Sequence, residues 1–132
     1  MHGGATHFPI ALLMVSVVFD HAGFWWRNEL RRREFRALGF HSVLFAAAAS
    51  PLTVLSGIAL SKGKLMGSGA LLLHHLFIWP AFGLLVGLAV WRLVVRDRAS
   101  RRASRCYLIL ATIAAAAMMG AGYWGGEMII TN

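Results

Sequence analysis

Six histidines punctuate a chain with few acidic groups, and the spacing of two of them invites a chemical reading. His7 and His21 flank one apolar run and lie fourteen positions apart. At about 100° per residue that interval returns almost to the starting face of a helix, and at about 1.5 Å rise it separates the rings by about 21 Å. An ionisable group inside a membrane helix is costly, so each such residue is a candidate for function. Imidazole is a good axial ligand for haem iron, and two imidazoles from facing helices form a six-coordinate electron-transfer centre. Two histidines on one stripe, at two heights, suit two stacked haems b.

The elements that must carry these side chains follow from hydropathy. Hydrophobic residues make up 58% of the 132 positions and charged residues only 14%, which is too apolar for a soluble domain. Long apolar runs recur four times, each near the ~20 residues that cross a hydrocarbon core. They predict spans at 6–26, 38–61, 69–95 and 103–123 within one domain, 1–132. The fold class expected is all-α integral membrane, a four-transmembrane-helix bundle. A β-barrel is excluded, because its segments would be shorter and would alternate.

The net charge of +8 does not point to nucleic acid. Eleven of the thirteen basic residues fall in the first and third connections, around Arg27–Arg36 and Arg92–Arg105, and two in the second. The positive-inside rule therefore predicts a multi-pass protein of the bacterial cytoplasmic (inner) membrane with both termini on the periplasmic side. The single cysteine, Cys106, excludes an intrachain disulfide and a Cys-x-x-Cys-His attachment of a c-type haem.

That topology sorts the histidines by depth. His7, His74 and His75 form an outer set, and His21 and His41 an inner set. The predicted haem-iron pairs are His7 with His75, and His21 with His41. His75 is preferred to His74 because it shares an i+4 ridge with Trp79, Gly83 and Gly87, a face expected to pack inward. Gly125-Gly126 could admit a haem edge or a quinone head group, or could equally cap a helix. Glu127 reads as a solvated terminal charge, as a proton acceptor for quinol oxidation, or as a partner to a ligating histidine. Asp20 beside His21 reads as a satisfied polar pair. A copper or zinc site drawn from His2, His7 and His74 or His75 is weakened by the lack of a nearby cysteine.

Two motifs carry a family resemblance. The chain opens His2-Gly3-Gly4-Ala5-Thr6-His7-Phe8-Pro9-Ile10-Ala11 and closes Gly122-Tyr123-Trp124-Gly125-Gly126-Glu127. It resembles a family of small bacterial four-span membrane proteins catalogued as a domain of unknown function. That family's pattern is His-x-x-x-x-His-Phe-Pro-Ile-Ala at the start and Gly-Tyr-x-Gly-Gly-Glu at the close. A histidine early in the third span, matched by His74 or His75, is also similar to the family. Gly3 stands where relatives carry proline. Members are often associated with c-type cytochromes, and this implies electron transfer between membrane and periplasm. His21 and His41 do not carry over from the family.

The expected function is a haem b-binding electron-transfer subunit, passing electrons between a quinol pool and a periplasmic c-type cytochrome or dehydrogenase. Its partners would be lipid and the other subunits of a redox complex, with self-association left open. The alternative is a cofactor-free accessory subunit of a larger respiratory or photosynthetic complex, with Gly83 and Gly87 marking the protein contact. No hydrolytic arrangement and no phosphate-binding loop is present.

Overall fold

The computed structural model describes the backbone of residues 2–130 and the side chains of residues 6–127. Four helices account for nearly all of it: α1 (His2–Trp25), α2 (Glu29–Leu60), α3 (Gly69–Val95) and α4 (Arg101–Ile130). A 3-10 turn, Arg96–Arg98, joins α3 to α4. All four helices are long and apolar enough to cross a membrane, and no strand occurs among the described residues.

Three helix ends differ from expectation. The arginine-rich segment after α1 was expected to be a connection, but α2 begins at Glu29. Asn28 caps it, its side-chain oxygen accepting from the Arg31 backbone N–H at 3.1 Å. Glu29 then pairs with Arg32 one turn on, and with Arg33 at 3.1 Å. These local bonds make a polar helix of what hydropathy alone reads as loop. With 32 residues α2 is about 48 Å long, so its first turns extend beyond a hydrocarbon core of about 30 Å. At the other end of the chain α4 runs on to Ile130, so Gly125-Gly126 lies inside a helix and not at its cap.

Pro9, Pro51 and Pro80 all sit inside helices. Pro9 was expected in a first turn, but α1 starts at His2 and places it deeper. Each proline withholds one N–H from the carbonyl four residues earlier. At Pro51 the loss is repaired locally, because the Ser50 hydroxyl donates to the Ala47 carbonyl at 2.8 Å.

Helix α1 packs chiefly on α2, and α3 on α4. These two hairpins meet through α1 with α4 and α2 with α3. Leu13, Val43, Ala46, Ala81, Leu85, Ala111 and Ala114 are almost fully buried between them. Alanine at so many of these positions lets the backbones approach closely, the usual device where lipid supplies no hydrophobic drive between helices. Large apolar side chains such as Val18, Phe45, Leu52 and Val94 face outward, as lipid contact requires.

Candidate functional site

Polar chemistry collects at the two ends of the bundle. At the end with the arginines, Asp20 is 4% exposed and its carboxylate is held from α1, α3 and α4. Its Oδ1 accepts from Arg92 of α3 at 2.6 Å, and its Oδ2 from the Tyr107 hydroxyl of α4 at 3.0 Å. Ser16, one turn back on α1, shares its proton between that carboxylate at 3.2 Å and the Gly39 carbonyl of α2 at 2.9 Å. Arg92 also donates to the Arg36 carbonyl at 2.9 Å, and its guanidinium lies over the rings of Phe40 and Tyr107. Trp91 stacks on Tyr107 at 5.0 Å. Gly39 has to be glycine here, since a Cβ would overlap the Asp20 carboxylate.

This network corrects the pairing expected for Asp20. The carboxylate engages Arg92, Tyr107 and Ser16, while His21 turns to α4. Adjacent residues on a helix diverge by about 100°, so a neighbour in sequence is a poor candidate for a partner in space. Charge alone places Arg92 in the basic connection, whereas the structure sets it within α3 with its side chain 11% exposed. One signal was available: Asp20 and Arg92 are opposite charges inside apolar runs, where ionisable groups pair.

His21 and His41 have separate engagements. The Thr112 hydroxyl donates to the Leu108 carbonyl at 2.8 Å, so its oxygen accepts from His21 Nε2–H at 3.3 Å. That leaves the His21 Nδ1 lone pair buried without a partner. His41 is exposed and donates through Nδ1 to the Ala37 carbonyl of its own helix at 2.7 Å.

The opposite end holds the outer histidines. His74 donates through Nδ1 to the Ala121 carbonyl of α4 at 2.7 Å. A carbonyl can only accept, so the proton is on Nδ1 and Nε2 keeps its lone pair. Gly125 lies one turn beyond Ala121, and a Cβ on it would come within 3.4 Å of the His74 ring. His75 is 7% exposed, stacks on Trp79 at 6.2 Å, and sits 5.7 Å from His74, centroid to centroid. Its Nδ1 is buried and has no hydrogen-bond partner.

His7 and Gly126 lie toward this same end of α1 and α4. A Cβ on Gly122 would touch Ile10 at 3.9 Å, so α1 and α4 approach each other near these residues. His7 is three residues before Ile10 and Gly125 three after Gly122, each about 4.5 Å further toward that end. His7 is exposed, Gly126 faces open space and Glu127 is half-buried. The side chain of His2 lies outside the described residues. Among those described, no three His, Cys, Asp or Glu side chains converge as ligands for a metal ion.

The ridge used to prefer His75 does not stay inside. His75 is buried, but Gly83 and Gly87 are exposed, with nothing near a Cβ on either. An i+4 row drifts by about 40° per step, so from His75 to Gly87 it turns through about 120° and leaves the core.

Two cavities lie at the arginine end, and His7, His21, His74 and His75 line neither of them. His41 borders the second. No curated protein and no solved structure matches the chain. A family model described as "Predicted membrane protein (DUF2231)" matches residues 1–132.

Proposed function

The chain belongs to the DUF2231 family of membrane proteins, and on that premise we propose that it is an electron-transfer subunit holding haem b at the His74–His75 end. The observation that carries this reading is the state of the two adjacent imidazoles. His74 is anchored through Nδ1 to a backbone carbonyl with its Nε2 lone pair free, the arrangement that orients a metal-ligating histidine. His75, beside it, buries an unpartnered nitrogen. Donor chemistry at this end therefore fits an axial-ligand role.

His74 or His75 from α3 and His7 from α1 would hold the iron. Gly125 keeps the wall beside His74 low, and Trp79 covers His75. Haem, when bound, supplies one-electron chemistry at its iron; the protein supplies ligation, orientation and a dry surround. The haem proposed is confined to the histidine end. His21 also keeps a buried, unpartnered Nδ1 and His41 is also anchored through Nδ1, but His41 is exposed and bonded within its own helix while His21 reaches across to Thr112 of α4, so the two rings are engaged with different elements.

The arginine end faces the cytoplasm by the positive-inside rule, which puts the histidine end and both termini at the periplasmic face of a bacterial inner membrane. Electrons would then pass between a quinol pool and a periplasmic c-type cytochrome or dehydrogenase, with Gly126 and Glu127 beside the quinol. The test is a reduced-minus-oxidised visible spectrum of the detergent-solubilised protein. A sharp alpha band, convertible to a pyridine haemochrome and lost in His74→Ala or His75→Ala but kept in His21→Ala, is expected. A featureless spectrum from cells replete in haem overturns the reading.

A second reading, an accessory subunit without cofactor, has one observation in its favour. Gly83 and Gly87 present a small-residue face outward on α3, open to another helix. A featureless spectrum together with co-purification in a larger complex, lost in Gly83→Leu, would establish it.

A further inference from the structure

We propose that the cavity at the arginine end binds the phosphate of an anionic membrane lipid. It has a volume of about 670 Å³ and opens between the end of α1, the start of α2 and the α3–α4 turn. Arg27, Arg32, Arg36, Arg92, Arg96 and Arg101 line it, and Asp20 is the one carboxylate among the lining residues. Asp20 is already neutralised by Arg92 at 2.6 Å. Of the nearby acids, Glu29 pairs with Arg32 and Arg33, and Asp97, 92% exposed, stands 3.6 Å from Arg36. Positive charge remains in excess.

Three further features point to a headgroup. The Arg32 Nε is buried without a hydrogen-bond partner, a donor left over after the guanidinium has met Glu29. Buried donors are almost always satisfied, so an orphan calls for an acceptor. Guanidinium forks match phosphate oxygens two at a time, which an ammonium does not. Three of the five tryptophans, Trp25, Trp26 and Trp91, line the same cavity, and indoles concentrate at the level of lipid headgroups. Phe24 and Leu108 add apolar lining on which an acyl chain can lie. Basic pockets between spans at the cytoplasmic surface suit anionic headgroups. A soluble phosphate ion shares the recognition chemistry but has no use for the indoles or the apolar lining. This inference does not depend on haem.

The protein in neutral detergent is titrated separately with phosphatidylglycerol, phosphatidylcholine and inorganic phosphate, reading tryptophan emission and the thermal unfolding midpoint. Phosphatidylglycerol is expected to shift both, since a ligand bound only to the folded state stabilises it by mass action. Phosphatidylcholine should do neither. The double variant Arg27→Gln/Arg101→Gln removes two exposed guanidinium groups outside the buried network. It should weaken the response about tenfold or more, the scale of two lost basic contacts, while the lipid-free midpoint falls only by the loss of the Arg101 guanidinium from the Phe24 ring. Arg33→Gln, outside this cavity, should respond like the parent. A full response to inorganic phosphate alone would transfer the site to a soluble anion and overturn the lipid assignment. Equal responses to the two lipids, or equal losses in Arg33→Gln and the double variant, would overturn the site itself.

Discussion

Asp20 and His75 are buried to similar depth at opposite ends of one bundle, and their surroundings differ in kind. Both carboxylate oxygens of Asp20 have partners, Ser16 on its own helix, Arg92 on α3 and Tyr107 on α4, and Ser16 links the group to α2 at the Gly39 carbonyl. His75 has an aromatic neighbour on its own helix and a ring nitrogen that meets nothing. Where lipid surrounds a bundle, a closed polar network specifies how the helices meet. A polar atom left open costs stability, and its retention asks for a ligand. The Asp20 network thus builds the protein, and the open nitrogen of His75 offers chemistry, as do the open His21 Nδ1 and Arg32 Nε outside that network.

Breaking the closed end should have the largest effect. Arg92→Ala strands the Asp20 carboxylate and releases the Arg36 carbonyl, so the loss expected is about 3–5 kcal/mol, read by equilibrium unfolding in detergent. Asp20→Ala/Arg92→Ala should cost less than the two single changes summed, because neither charge is then left alone. Strict additivity would show that the pair is not coupled and that the network does not join the hairpins. A smaller effect comes from Gly39→Ala. Its methyl group must displace the Asp20 carboxylate or push α2 from α1, an overpacking cost of about 1–3 kcal/mol. Gly126→Ala, a glycine with open space at the histidine end, should stay close to the parent, so the pair of variants measures the asymmetry directly.

The four spans were legible because lipid demands long apolar helices, and hydropathy reports that demand without knowledge of packing. What hydropathy cannot report is helical phase and partner choice. The segment 29–36 looks like a loop by charge, yet Asn28 and the Glu29 pairs make it helix. Asp20 was matched to its neighbour His21, although the two leave the helix on different sides and reach different partners. Arg92 looked like one of many basic residues at a helix end, and only its contacts separate it from Arg96 and Arg98. The outer histidines were legible as a level, because distance along a helix translates directly into depth. Their orientation was not, since the ridge from His75 to Gly87 winds out of the core.

His75→Phe sharpens the comparison at its smallest and most informative effect. The substitution keeps a flat ring against Trp79 and removes the nitrogen that has no partner. Replacing an unsatisfied buried polar atom by carbon recovers its desolvation cost, so the ligand-free protein should gain about 1 kcal/mol. With His75 as the axial ligand the same variant loses the haem signal, a stability gain joined to a functional loss; with His74 as the ligand the signal survives. A destabilised His75→Phe protein would mean that the ring nitrogen does have a partner in the folded state. Asp20 and His75 would then no longer differ in kind, and the argument for a ligand at His75 would go with that difference.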